Sequence, residues 1–113
     1  MICPYCDFCY YGKMLKKYIW VNGKIEPADK PVVLINDIGF LRGYGVFDFM
    51  RTYNGKIFRY PDHYQRFVNS AKLLDLKVKI KEKDLEQIIY KLIKKNGLKD
   101  ASVRLLMTGG PAI

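Results

Sequence analysis

Three arginines stand where backbone periodicity would aim a guanidinium in a defined direction. Arg66 shares a helical stripe with His63 and Ser70, since at about 100° per residue the three lie within about 60° of one another. A guanidinium beside a hydroxyl can receive an anion, phosphate being the obvious one. The same stripe equally describes a partly exposed helix edge with a capping histidine. Arg51 lies in an alternating run over residues 46–53, with Phe47, Phe49, Arg51 and Tyr53 on one face and Val46, Asp48, Met50 and Thr52 on the other. An arginine among aromatics suits gripping a carboxylate beside an apolar pocket. It also describes an edge-strand arginine snorkelling over rings. Arg104 belongs to a last alternating run, residues 101–108, facing the same way as Leu106 and Thr108.

Cysteine is the other chemistry-bearing type. Cys3, Cys6 and Cys9 are the only three and fall at one spacing near the N-terminus. Three thiolates leave structural zinc or an iron–sulfur cluster one ligand short of four, and no metal ligand set is assigned. An odd count with none in the body of the chain argues against a disulfide framework and for a reducing compartment. Residues 1–13 read as an N-terminal extension, with Met14 as an alternative start.

The elements that must position these residues are legible from turns and periodicity. Residues 18–26 form a hairpin around Asn22-Gly23, and Asn54-Gly55 turns residues 46–53 into a second arm at 56–59. Residues 32–35, Val-Val-Leu-Ile, read as a short buried strand. Residues 37–45, with Gly39, Gly43 and Gly45, read as a bending, close-approach segment without a phosphate-loop motif, and no helix start follows it. Pro61 and Asp62 open a helix whose apolar stripe is Tyr64, Phe67, Val68, Ala71 and Leu74. A second helix, at about 82–95, buries Leu85, Ile88, Ile89, Leu92 and Ile93, with acids early, lysines late and Asn96-Gly97 as its stop. Val103, Leu105 and Met107 face the core from the last strand. The expected fold is α+β, an antiparallel sheet from two hairpins and the last strand with two helices on one face.

Composition narrows the function classes. At 113 residues, half of them hydrophobic, the chain makes one globular domain. Its net charge of +9 comes mainly from 15 lysines, which do not cluster; nine of them, from Lys72 to Lys99, spread over and between the two helices. That pattern reads as solvated faces rather than the concentrated arginine and aromatics of a nucleic-acid surface. There is no apolar run of membrane-spanning length and no signal-like apolar core at the N-terminus. The expectation is a cytoplasmic protein without nucleic-acid or membrane partners.

Over residues 18–110 the chain resembles the N-terminal small domain of class IV (fold type IV) pyridoxal-phosphate aminotransferases. The resemblance rests on Gly43-Tyr44-Gly45-Val46-Phe47-Asp48-Phe49-Met50-Arg51-Thr52-Tyr53, on His63-Tyr64-Gln65-Arg66-Phe67 with Ser70-Ala71, and on Ser102-Val103-Arg104-Leu105-Leu106 before Thr108-Gly109-Gly110. It implies that Arg66 binds the cofactor phosphate. It further implies that Phe47 and Arg51 line the substrate side, and that Arg104 shapes the carboxylate end of the pocket. His63 matches a helix-start histidine taken as structural, and Asp48 stands where glutamate is commoner. Phe47 and Arg104 lean toward the branched-chain amino acid enzymes. Gly109, where D-amino acid enzymes can carry a carboxylate-binding arginine, counts against those.

The resemblance also implies pyridoxal 5'-phosphate as cofactor, amino acid and 2-oxo acid substrates, and a homo-oligomer, at least a dimer. Residues 14–110 are then the small domain and 111–113 the start of a linker. Transamination needs a Schiff-base lysine and an acid at the pyridine nitrogen. The family places both in a second domain, and none of the 15 lysines here stands in a matching position. The expectation is therefore a truncated or split portion that alone neither holds the cofactor covalently nor transaminates. D-amino acid aminotransferase or aminodeoxychorismate lyase fragments are the enzyme alternatives. A non-catalytic module pairing with a full-length homologue is the other.

Overall fold

The computed structural model describes residues 17–112. Cys3, Cys6, Cys9 and the choice between Met1 and Met14 lie outside them. The elements run β1 (Tyr18–Val21), β2 (Lys24–Pro27), α1 (Ile38–Arg42), β3 (Gly45–Tyr53), β4 (Lys56–Ile57), α2 (Tyr60–Leu73), α3 (Glu82–Lys95) and β5 (Ser102–Thr108). The fold is α+β, and every strand pairing is antiparallel. Hydrogen bonding divides the strands into a separate β1–β2 hairpin and a three-stranded sheet ordered β4-β3-β5.

Both hairpins turn where Asn-Gly dictates. Asn22 and Gly23 have φ of 48° and 92°, Asn54 and Gly55 51° and 76°. Paired positive φ angles match the right-handed twist of the flanking strands, and Asn-Gly tolerates them at least strain. Asp100 secures the second turn by accepting from the Gly55 amide at 3.0 Å and from Thr52 Oγ1 at 3.3 Å.

Alternation along β3 decides which side of the sheet is core. Asp48, Met50 and Thr52 are buried, whereas Phe47, Arg51 and Tyr53 are exposed. Met50, Ile57, Tyr60, Phe67, Leu85, Ile89, Leu92, Ile93, Val103 and Leu105 form one cluster between the sheet and helices α2 and α3. Two tyrosines of α2 close the helix layer: Tyr60 Oη donates to the Glu82 carbonyl at 2.6 Å and Tyr64 Oη to the Ile80 carbonyl at 2.7 Å. Burial pushes the Tyr60 phenol well up, and Glu86 and Glu82 add to that, so it stays protonated and donating. The β1–β2 hairpin is held by the residue that ends α3. Asn96 accepts from the Tyr18 amide at 2.8 Å and donates to the Tyr18 carbonyl at 3.0 Å, so its side-chain amide acts as a short strand partner.

Two segments depart from the sequence expectation. Residues 32–35 are neither a strand nor buried; Val32 and Ile35 are 81% and 75% exposed. An apolar run becomes a buried strand only if an edge is available beside it, and among the described residues no strand lies alongside this one. Residues 37–45, read from their glycines only as a bending, close-approach segment, contain the short helix α1. Asp37 Oδ1 caps it by accepting from the Gly39 amide at 2.7 Å, and Gly43, at φ 66°, ends it. That helix is fastened to the end of β5, because Thr108 Oγ1 donates to Asp37 Oδ2 at 2.9 Å. Among the described residues no helix is long and apolar enough to cross a membrane.

Candidate functional site

The candidate residues fall on two sides of the central sheet. Phe47 pairs with Leu106, Phe49 with Arg104, and Arg51 with Ser102. Phe47, Phe49, Arg51, Arg104 and Leu106 therefore share the face turned away from the helices. Phe47 is 65% exposed and Leu106 42%. Arg51 and Arg104 are diagonal neighbours across the ladder, a relation that places Cα atoms about 7–8 Å apart. Among the described residues neither has an ion-pair or side-chain hydrogen-bond partner. Two cationic side chains at diagonal ladder positions give this face a positive charge that favours an anion.

Arg66 is elsewhere. It belongs to α2, on the helix side of the sheet, and reaches β3 through Asp48, which is only 3% exposed. Its Nε donates to Asp48 Oδ2 at 3.1 Å, and its Nη2 donates to Asp48 Oδ1. Asp48 Oδ1 also accepts from the Phe49 amide at 2.7 Å and lies 3.3 Å from His63 Nδ1. The structure thus brings His63 and Arg66 together, as the helical stripe required. Ser70 joins neither of them in a hydrogen bond.

Asp48 is the site residue that sequence reasoning misses, since there it registers only as a departure from glutamate. The signal is nonetheless present. Alternation puts a carboxylate among Val46, Met50 and Thr52 on a buried face, and a buried charge must be paired. Burial raises its pKa, but the Arg66 hydrogen bond, the Phe49 amide, His63 and the Arg66 charge together outweigh burial. The carboxyl is held below the ordinary 3.8. A group whose folded pKa is depressed contributes stability that is fully present above its unfolded pKa and is lost as pH falls through the folded one. Urea titrations should accordingly show the stability gap between the wild type and Asp48→Asn constant above about pH 4 and shrinking below it. A gap independent of pH down to acid unfolding would contradict this.

A half-open apolar pocket of about 60 Å³ is lined by Trp20, Phe67, Ile80 and Leu85 and, from β5, by Leu105 and Leu106. It contains none of the candidate residues and is packing space at the hairpin–helix junction. Among the described residues no three His, Cys, Asp or Glu side chains cluster in a way that could hold a metal.

An α+β domain of antiparallel sheets and a few helices matches the N-terminal domain of fold type IV aminotransferases. The family model for class IV aminotransferases matches residues 45–112, and the chain belongs to that family, whose members are pyridoxal-phosphate dependent. A D-alanine aminotransferase of Staphylococcus aureus is 31% identical over 94 residues, covering 83% of this chain and 33% of that protein. A putative branched-chain-amino-acid aminotransferase of Methanocaldococcus jannaschii is 33% identical over 92 residues, covering 81% of this chain and 32% of that protein. The solved branched-chain amino acid aminotransferase from Escherichia coli superposes with a TM-score of 0.79 at 29% identity, over 85% of this chain and 34% of that one. The chain spans about one third of the length of the curated relatives it matches.

Proposed function

We propose that this chain supplies the small-domain wall of an active site that transfers amino groups between amino acids and 2-oxo acids, of the branched-chain type, in a homo-oligomeric enzyme. The observation that carries this reading is the pair of unpartnered arginines, Arg51 and Arg104, on the apolar face with Phe47 and Phe49. Guanidinium groups beside aromatic rings match a substrate with a carboxylate at one end and an apolar side chain at the other. Arg66, 65% exposed beyond its contact with Asp48, fits a phosphate with its remaining N–H groups. Pyridoxal 5'-phosphate, when bound, supplies the electron sink that labilises the substrate Cα–H bond. The residues here bind and orient: Arg66 the phosphate, Arg51 and Arg104 the carboxylate, Phe47 the side chain.

The branched-chain reading is favoured over the D-amino acid alternative by Gly109. A Cβ there would lie 2.4 Å from Ile38 Cδ1 and 2.7 Å from Tyr44 Cδ1. A carboxylate-binding arginine could not stand at 109 without repacking both.

Pyridoxamine 5'-phosphate is the probe of choice, because its amine cannot form adducts with the 15 lysines as an aldehyde would. In a ¹H–¹⁵N titration it should shift Arg66 Nε and the adjacent α2 amides, whereas pyridoxamine without phosphate should not. Arg66→Ala should weaken the binding by about tenfold or more, the loss of one charge-assisted contact. Equal shifts from both compounds, or shifts confined to residues distant from α2, would sink the phosphate assignment.

A further inference from the structure

We propose that Asp48 and His63 are positioning residues for Arg66. A buried carboxylate on β3, oriented by His63, fixes one edge of the guanidinium and leaves the other edge aimed outward for an anion. This rests on the reading of Arg66 as the phosphate-binding group.

Contacts within the protein engage both oxygens of Asp48. Oδ1 meets Arg66 Nη2, the Phe49 amide and His63 Nδ1, and Oδ2 accepts from Arg66 Nε. At 3% exposure the carboxylate faces these partners rather than an outside ligand. Arg66 contributes its Nε/Nη2 edge to that contact, leaving both Nη1 hydrogens and one on Nη2. These form the end-on fork that suits a phosphate or carboxylate.

The histidine tautomer follows from the same geometry. His63 Nδ1 lies 3.3 Å from Asp48 Oδ1 and 3.3 Å from Arg66 Nη2. If Nδ1 accepted from Arg66, its lone pair would also face an ionised oxygen. A proton on Nδ1 turns the interaction with Asp48 into a donated hydrogen bond to a charged acceptor, so the Nδ1–H form is assigned. His63 then fixes the carboxylate, and the carboxylate fixes the guanidinium.

Two effects oppose each other in this arrangement. Asp48 neutralises part of Arg66's charge, which weakens attraction for an anion. It also removes rotamer freedom from an exposed arginine before the ligand arrives, which strengthens binding. The positioning role requires orientation to be the larger of the two.

The experiment compares the wild type, Asp48→Asn, Asp48→Glu and Arg66→Ala. It uses ¹H–¹⁵N spectra, with retained amide dispersion confirming the fold, and pyridoxamine 5'-phosphate as ligand. Expected are a sharp, slowly exchanging Arg66 Nε–H resonance and a protonated His63 Nδ1 in the wild type. Asp48→Asn should broaden the Arg66 resonance and weaken binding by about tenfold, a typical loss when an orienting partner is removed. Asp48→Glu, which keeps the charge and both oxygens, should restore much of both. Unchanged or tighter binding in Asp48→Asn, with Arg66→Ala weakened, overturns the positioning role while leaving the phosphate assignment intact. Unchanged binding in Arg66→Ala removes the phosphate assignment and the positioning role with it. A proton on His63 Nε2 alone overturns the histidine's part.

Discussion

Met50→Ala is expected to cost about 2–5 kcal/mol of folding free energy, the range for emptying a large buried side chain in a close-packed core. Met50 is 1% exposed and belongs, from the middle of β3, to the core cluster that includes residues of both helices. Its loss leaves a cavity at the junction that positions every candidate residue on that strand. Total stability for a domain of this size is about 5–15 kcal/mol, so the variant should unfold at much lower urea. Phe47→Ala, on the opposite face of the same strand and 65% exposed, should change stability by no more than about 0.5 kcal/mol. Urea midpoints at unchanged m-value measure both. Equal losses would show that the outer face is packed in solution and that alternation along β3 does not divide core from site.

Gly45→Ala carries the second large effect. A Cβ there would lie 2.8 Å from the Met107 carbonyl oxygen, and because that atom is backbone on the paired strand it cannot rotate away. Gly45 pairs with Thr108 at the start of the ladder that places Phe47 opposite Leu106 and Phe49 opposite Arg104. Overpacking of this kind costs about 1–3 kcal/mol. The strain should localise, with amides of residues 106–108 exchanging faster with solvent and Val103, at the far end, keeping its protection. Uniform protection along β5 would show that the ladder shifts as a unit and that Gly45 does not set its register. This gives the glycine-spaced entry to β3 a physical purpose, close approach of two backbones rather than flexibility.

Much of the fold is readable from residues 17–112 as a sequence. Asn-Gly turns, period-two alternation and the acid-to-lysine polarity of α3 are local properties, and local dihedral and dipole preferences decide them whatever the rest of the chain does. The helix α1 escapes such a reading although its Asp37 cap and Gly43 stop are in the sequence, because five residues contain too little periodicity to declare a helix. Residues 32–35 mislead for the opposite reason. Four consecutive aliphatics signal burial strongly, yet burial depends on a neighbouring edge that no local pattern can report.

The candidate site divides along the same line. By itself the sequence determined that Phe47, Phe49 and Arg51 share a face, that His63 and Arg66 share a stripe, and that Asp48 points the other way from Phe47. Only the tertiary structure decided the pairing of Arg104 with Phe49, which depends on the register of strands far apart in the chain. It alone joined Asp48 to Arg66, 18 positions on, and so put one arginine under a buried carboxylate while leaving Arg51 and Arg104 without a counter-ion. Periodicity fixes the direction of a side chain relative to its own backbone. What stands in that direction is set by how strand and helix pack.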